Sequence, residues 1–257
     1  MLKSLDLTGR VAVVVGGTSG LGRAIALGLA EAGADVVASG RRGDLVREAC
    51  AQVESMGRRS LAATVDVRER QSVDDLRDRV LEHFGHAEIM VYAAGTVARK
   101  PTLEVSEAEW QATLDLNATG ALRTCQSFYE ALAAARRGRV VNIVSLNSFV
   151  SLKEVAAYAA SKSALLSLTR SLAVEWAKSG VNVNAIAPGV FRTDLNRKLL
   201  DETERGRELL MRTPMKRFGC PEELVGAAVL LASDAAAYIT GQCITVDGGF
   251  LASGVNT

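Results

Sequence analysis

A tyrosine phenol ordinarily titrates near 10, so it is a useful base at neutral pH only where a cation is held beside it. Tyr158 and Lys162 meet that condition if Val155-Ala156-Ala157-Tyr158-Ala159-Ala160-Ser161-Lys162 is helical, and its residues are good helix formers. Side chains four apart share a helix face, so phenol and ammonium can enter one cleft. A charge at about 5 Å, in a medium of effective dielectric near 20, is worth ~3 kcal/mol. That would lower the phenol's pKa by about two, poising it to take a proton from an alcohol or return one to a ketone. The plainer alternative is a half-buried tyrosine with a lysine snorkelling to solvent. Ser145 ends an apolar run, Val140–Val144, thirteen residues before Tyr158; a hydroxyl at a strand end there could polarise a carbonyl. Asn117 sits inside a helical pattern, where asparagine is disfavoured. It could hold a water that relays protons to Lys162, or simply face solvent.

Proton transfer at an alcohol needs a partner to take the electrons, and the first strand-like run leads to one. Val11–Val15 passes into Gly16-Gly17-Thr18-Ser19-Gly20-Leu21-Gly22, and a helical pattern follows. Glycines there let backbone amides approach a pyrophosphate, and a helix N-terminus adds unpaired N–H groups. No Gly-Lys-Ser/Thr ends the turn, so it is not a P-loop. A dinucleotide is the ligand that fits, although a plain turn also favours glycine. The second run ends in Ser39-Gly40-Arg41-Arg42 with no carboxylate at its tip. An arginine can pair with a ribose 2′-phosphate bidentately, which favours NADP(H) and leaves NAD(H) possible; a solvated loop is the alternative. Asp66-Val67 follows the third run, placed either to cap an adenine edge or to N-cap a helix.

Positioning these residues takes an alternation of short apolar runs and longer amphipathic segments. The runs are Val11–Val15, Asp35–Ala38, Leu61–Val65, Ile89–Ala93, Val140–Val144, Val181–Ala187 and Ile244–Val246. Between them lie Leu21–Ala32, Asp44–Met56, Val73–Phe84, Glu107–Ala135, Val155–Lys178 and Glu222–Leu231. This pattern implies βαβ units and a single-domain α/β, Rossmann-type doubly wound parallel sheet of about seven strands with helices on both faces. No linker divides residues 1–257. A net charge of +1 supplies no field for nucleic acid. No run approaches the roughly 20 apolar residues of a membrane span, and Met1–Arg10 is too polar for a secretory signal. Cys50, Cys125, Cys220 and Cys243 form no metal pattern with His83 or His86. A reducing cytoplasm, a small-molecule substrate and no metal are the resulting expectations.

Taken together, these motifs resemble the classical short-chain dehydrogenase/reductase family over nearly the whole chain. They run in the family's order: the Gly16–Gly22 turn, Ala93-Ala94-Gly95, Asn117, Ser145, Tyr158/Lys162, then Pro188-Gly189 and Thr193. The resemblance implies a catalytic tetrad of Asn117, Ser145, Tyr158 and Lys162. In it Tyr158 is the acid/base, Ser145 orients the substrate oxygen, Lys162 binds the nicotinamide ribose, and Asn117 anchors a relay water. It also implies that Ile186–Thr193 lines the nicotinamide, that Asp194–Arg212 (near 190–212) is a substrate lid, and that the protein is a homotetramer. Two positions depart from the family pattern. Val15 replaces the threonine that usually opens the turn, and Tyr92-Ala93-Ala94-Gly95 replaces Asn-Asn-Ala-Gly.

Within the family the sequence is most similar to gluconate 5-dehydrogenase and 2-deoxygluconate 3-dehydrogenase members, which implies a sugar acid or polyol as substrate. Arg99, in Thr96–Pro101, could grip a carboxylate in bidentate fashion; an exposed loop arginine is the alternative. Asn147 and Ser148, together with Glu154, could contact polyol hydroxyls, or be ordinary turn residues. A 3-oxoacyl-thioester reductase is the competing enzyme and would want a more apolar cleft mouth. A non-catalytic NADP-binding redox sensor would be expected to lack part of the tetrad, which is present in full.

Overall fold

The computed structural model describes residues 2–193 and 196–254. Valine-rich runs form six strands: β1 (Val11–Val15), β2 (Asp35–Ser39), β3 (Ile89–Tyr92), β4 (Gly138–Ile143), β5 (Val181–Pro188) and β6 (Cys243–Val246). The helices are α1 (Gly20–Glu31), α2 (Gly43–Ser55), α3 (Arg70–Phe84), α4 (Glu107–Leu114), α5 (Gly120–Ala134), α6 (Ala156–Trp176), α7 (Arg197–Glu202), α8 (Glu204–Arg212) and α9 (Val225–Ala232). The sheet order is β2-β1-β3-β4-β5-β6, and every pairing is parallel. Side chains alternate across a strand. Val11, Val13 and Val15 therefore join the core under α3, α5 and α6, while Ala12 and Val14 join the core under α1, α2 and α9. Strands buried on both faces must be apolar throughout, which accounts for the continuous runs.

The sheet has six strands rather than about seven. Leu61–Val65 runs beside β2 but makes a single bridge, Thr64 to Gly40. Side chains stand where the ladder would be: Ser60 Oγ donates to the Val36 carbonyl at 2.7 Å, and Asp35 Oδ1 accepts from the Arg59 N–H at 2.8 Å. Backbone pairing is left to Val36 N–H with the Arg59 carbonyl and Val65 N–H with the Gly40 carbonyl.

The helical pattern over Glu107–Ala135 is interrupted as well. A capping box of Ser106 and Glu109 starts α4, and a π-turn over Asp115–Thr119 separates it from α5. Tyr92, at the end of β3, donates its Oη to the Leu116 carbonyl inside that turn at 2.5 Å. A Cβ on Gly120 would lie 2.5 Å from the same phenol oxygen. The departure at Tyr92 thus braces the turn that carries Asn117. Val15, the other departure, is a buried core residue whose carbonyl accepts from the Ala93 N–H.

At the amino end of the sheet, Arg10 and Arg139 are 2% and 4% exposed and converge on Asp234, at 2.6 and 3.5 Å. They also donate to the Ala232 and Ser233 carbonyls, which fastens the chain after α9 to β1 and β4. Among the described residues no helix is long and apolar enough to cross a membrane, and no His/Cys/Asp/Glu group could hold a metal ion.

Candidate active site

Strand order reverses between β1 and β3, and ligands of such sheets bind beyond the carboxyl ends at that point. A cleft of about 890 Å³ lies there. Its floor is the glycine turn. The Ser39 carbonyl accepts from Gly16 N–H at 2.8 Å and Gly17 N–H at 3.1 Å. Gly16 has φ 84°, and a Cβ on it would sit 2.5 Å from the Ala94 nitrogen, so the turn packs directly on Ala93-Ala94-Gly95. Thr18, Ser19, Gly20, Leu21 and Gly22 line the cleft. α1 opens there on Ser19, which makes no side-chain cap, leaving first-turn amides for an anion. Pro188, Gly189 and Thr193 form the facing wall, and Asn196 Oδ1 accepts from the Thr193 N–H at 2.8 Å. Asp194 and Leu195, where the lid is expected to begin, lie outside the described residues. Ser39 itself is fully buried, does not line the cleft, and has an Oγ without a hydrogen-bond partner among the described residues.

Arg41 lines the cleft and is exposed, with no hydrogen bond or salt bridge among the described residues. Arg42 lines it too and donates to Ser19 Oγ at 3.3 Å; a sequence doublet does not say which arginine is held and which is free. Asp66 and Val67 lie at the same end. The Arg68 guanidinium grips Asp66 and holds its carboxyl down at about 2. Asp66 is not a helix N-cap, because α3 starts after Glu69. A pyrophosphate seat and, in the same cleft, a cation with no hydrogen bond or salt bridge among the described residues together fit a phosphorylated dinucleotide.

Deeper in the cleft stand Ser145, Tyr158 and Lys162. Lys162 is buried, its Nζ donating to the Ile143 carbonyl at 2.7 Å and lying 5.9 Å from the Tyr158 ring centre. Burial pulls Lys162 down to about 8. It pushes the Tyr158 phenol up, offset in part by a hydrogen bond with the Ser145 hydroxyl. The expected lowering of the phenol by the ammonium is therefore not what the protein alone produces. A low-dielectric pocket penalises both charged forms, and the ammonium is directed at a backbone carbonyl. Ser145 Oγ accepts from the Asn147 N–H at 3.1 Å.

Asn117 is fully buried behind this group and does not itself line the cleft. Its amide pairs with Thr96 on both sides: Oδ1 accepts from the Thr96 N–H, and Nδ2 donates to the Thr96 carbonyl, each at 2.9 Å. Nδ2 also donates to Ser161 Oγ at 2.9 Å, and Ser161 Oγ donates to the Tyr158 carbonyl at 2.7 Å. The side-chain amide is thus engaged with Thr96 and α6. Ser161 is a link that sequence reasoning missed, since a helix serine carries no signal of what it meets across the fold.

At the cleft mouth Arg99 is exposed and Asn147 is buried. Both line the cleft, and Asn147 Nδ2 has no hydrogen-bond partner among the described residues. Ser148 and Glu154, the other expected hydroxyl contacts, are not lining residues. Arg205, on α8, is one, and sequence reasoning passed over it because nothing in the local pattern distinguishes it from other exposed helix arginines.

A family model described as enoyl-(acyl carrier protein) reductase, within the short-chain dehydrogenase/reductases, matches residues 15–251. The 2-dehydro-3-deoxy-D-gluconate 5-dehydrogenase of Escherichia coli K12 is 41% identical over 98% of this chain and 99% of its own. The gluconate 5-dehydrogenase of Gluconobacter oxydans 621H is 34% identical over 96% and 97%. A crystal structure of a gluconate 5-dehydrogenase from Burkholderia cenocepacia J2315, in complex with NADP and tartrate, superposes with a TM-score of 0.94 at 34% identity, covering 98% and 99% of the two chains. With its fold, its cleft and its sequence all in agreement, this chain belongs to the short-chain dehydrogenase/reductase family and is an oxidoreductase acting on CH–OH groups.

Proposed function

We propose that the protein is an NADP-preferring dehydrogenase interconverting a secondary alcohol and a ketone on a sugar acid. Arg99 carries this reading: a guanidinium with no hydrogen bond or salt bridge among the described residues, in the same cleft as the Tyr158 phenol. It offers a carboxylate a charge-assisted grip, and the donor on Asn147 offers a hydroxyl a partner. The names of the relatives point to the same substrate class. A 3-oxoacyl-thioester reductase would want an apolar mouth, and charged Arg99 and Arg205 stand there instead.

Arg41 would hold the 2′-phosphate, the Gly16–Gly22 turn the pyrophosphate, and Thr193 with Pro188-Gly189 the nicotinamide end. The bound nicotinamide supplies the two-electron chemistry at the carbinol carbon. Ser145 Oγ holds the substrate oxygen. Tyr158 Oη gives that oxygen a proton in reduction and takes it back in oxidation. Burial keeps the phenol protonated, ready as a general acid; oxidation requires the phenolate, which a cationic ring and a charged Lys162 favour. Asn117 and Ser161 hold α6 in register with the loop after β3. The lid over α7 and α8, a homotetrameric assembly and a cytoplasmic setting complete the reading, and they rest on the family.

A screen of sugar acids, the matching polyols and ketones, with both cofactors and reduced-nicotinamide absorbance as readout, tests it. Tyr158→Phe should lower turnover on the best substrate by about 10²–10⁴-fold and leave the NADP Kd within about twofold of wild type. Retained turnover would refute the proton-transfer role.

A further inference from the structure

Two guanidiniums, those of Arg99 and Arg205, line the cleft, and the Glu154 carboxylate acts on both from outside its lining. Arg99 comes from the loop after β3, and Arg205 from the first turn of α8. Arg205 is anchored, donating to the Lys153 carbonyl at 2.8 Å. Its ion pair with Glu154 is loose: 3.6 Å separates Nη1 from Oε2, too far for a hydrogen bond. Arg99 has no hydrogen bond or salt bridge among the described residues, and it feels both Arg205, unfavourably, and Glu154, favourably. Glu154 is itself held in place. Its backbone is left-handed at φ 67°, a conformation uncommon for a residue with a side chain, and its carbonyl accepts from the Lys100 N–H at 2.9 Å. One residue thus touches both the loop of Arg99 and the helix of Arg205. The group of three carries one positive charge in excess, and its two guanidiniums line the cleft.

We infer that Arg205 is a specificity-determining residue, which together with Arg99 binds the substrate's carboxylate in competition with the Glu154 side chain. This rests on the sugar-acid reading above and extends it to α8, whose arginine completes a two-cation seat. The incoming carboxylate supplies the missing negative charge and hydrogen bonds that Glu154 is too distant to make. Glu154, as an internal competitor, keeps the seat from holding anions too tightly. An uncharged polyol reaches Ser145 and Tyr158 without engaging this seat.

The test uses the 257-residue protein and three variants. Calorimetry measures gluconate binding to the enzyme–NADPH complex, in which gluconate meets no hydride acceptor, and kcat/KM is compared for gluconate and glucitol. Arg205→Gln should weaken gluconate binding by about 10- to 100-fold and reduce the gluconate-over-glucitol ratio at least about tenfold. Arg205→Lys should restore part of that ratio. Glu154→Gln should act in the opposite direction and tighten gluconate binding, because the competing charge is gone. An unchanged ratio in Arg205→Gln, or gluconate binding weakened alike in Arg205→Gln and Glu154→Gln, would overturn the inference while leaving the sugar-acid reading intact. A wild-type enzyme that oxidises glucitol but neither binds nor oxidises gluconate would overturn both.

Discussion

Tyr92 and Gly120 form a lock whose two halves can be removed separately. The phenol is fully buried, and its Oη donates to the Leu116 carbonyl at 2.5 Å. Tyr92→Phe deletes a bond worth ~1 kcal/mol and takes a partner from a part-buried carbonyl, at a further cost of up to ~1 kcal/mol, so a loss of about 2 kcal/mol is expected. For a chain of this size that is a fall in Tm of roughly 4–8 °C. Gly120→Ala places a Cβ 2.5 Å from Tyr92 Oη and 2.8 Å from Val67 Cγ2, and overpacking of this kind costs ~1–3 kcal/mol. In the double variant the nearer of those clashes no longer exists. Its cost should fall short of the sum of the single costs by about 1 kcal/mol, the size of coupling seen between residues in contact. Denaturant unfolding of all four proteins at one concentration measures this, and kcat should fall in each single variant because Asn117 rides on the same turn. Additivity within about 0.3–0.5 kcal/mol would refute the claim that the hydroxyl fills the space above Gly120. A Tyr92→Phe cost below ~0.5 kcal/mol would refute the bond to Leu116.

Lys162 is buried, and its pKa falls from 10.5 to about 8, so the folded protein releases that proton before the unfolded chain does. The burial penalty is full below pH 8, shrinks as pH rises and is gone above 10.5. Lys162→Met should therefore raise stability at pH 7 by up to roughly 3 kcal/mol while destroying activity, with the gain shrinking toward pH 10 in paired denaturation curves. Asp234→Asn strips two buried guanidiniums of their carboxylate; allowing for screening at half-exposed Asp234, the cost should be roughly 1–3 kcal/mol at neutral pH. Arg10 holds the Asp234 pKa below its ordinary 3.8, so that contribution is present above the ordinary value and is lost as pH falls through the lower folded one. The variant and wild type should then converge in acid unfolding. Arg41→Ala should weaken NADP binding by about tenfold or more and barely change NAD binding, read by fluorescence titration; equal losses would remove its role at the 2′-phosphate.

Features encoded by nearest neighbours were legible in the sequence. Tyr158 and Lys162 face one cleft because α-helical spacing demands it, and the glycine turn opens a helix because β1 runs straight into it. Features decided by distant contacts were not. Leu61–Val65 has a strand's composition, but the Ser60 hydroxyl occupies the Val36 carbonyl of β2 and the Asp35 carboxylate occupies the Arg59 N–H. The expected acidity of Tyr158 treated the pair as if solvent remained close, whereas burial of both groups reverses the sign for the phenol. Arg205 reaches the cleft only through the path of α7 and α8, which no local pattern specifies.

The π-turn at Asp115–Thr119 is in effect an α-helix that has taken in one residue too many. Each residue of an ordinary helix advances the side chains by about 100° around the axis. Deleting one residue between Asp115 and Thr119 would restore regular pitch and improve the local geometry. It would also rotate α4 against α5, so that Asn117 could no longer meet both Thr96 and Ser161. The site therefore depends on chain count as much as on residue identity at this point: a shortening that makes the better helix makes the poorer enzyme.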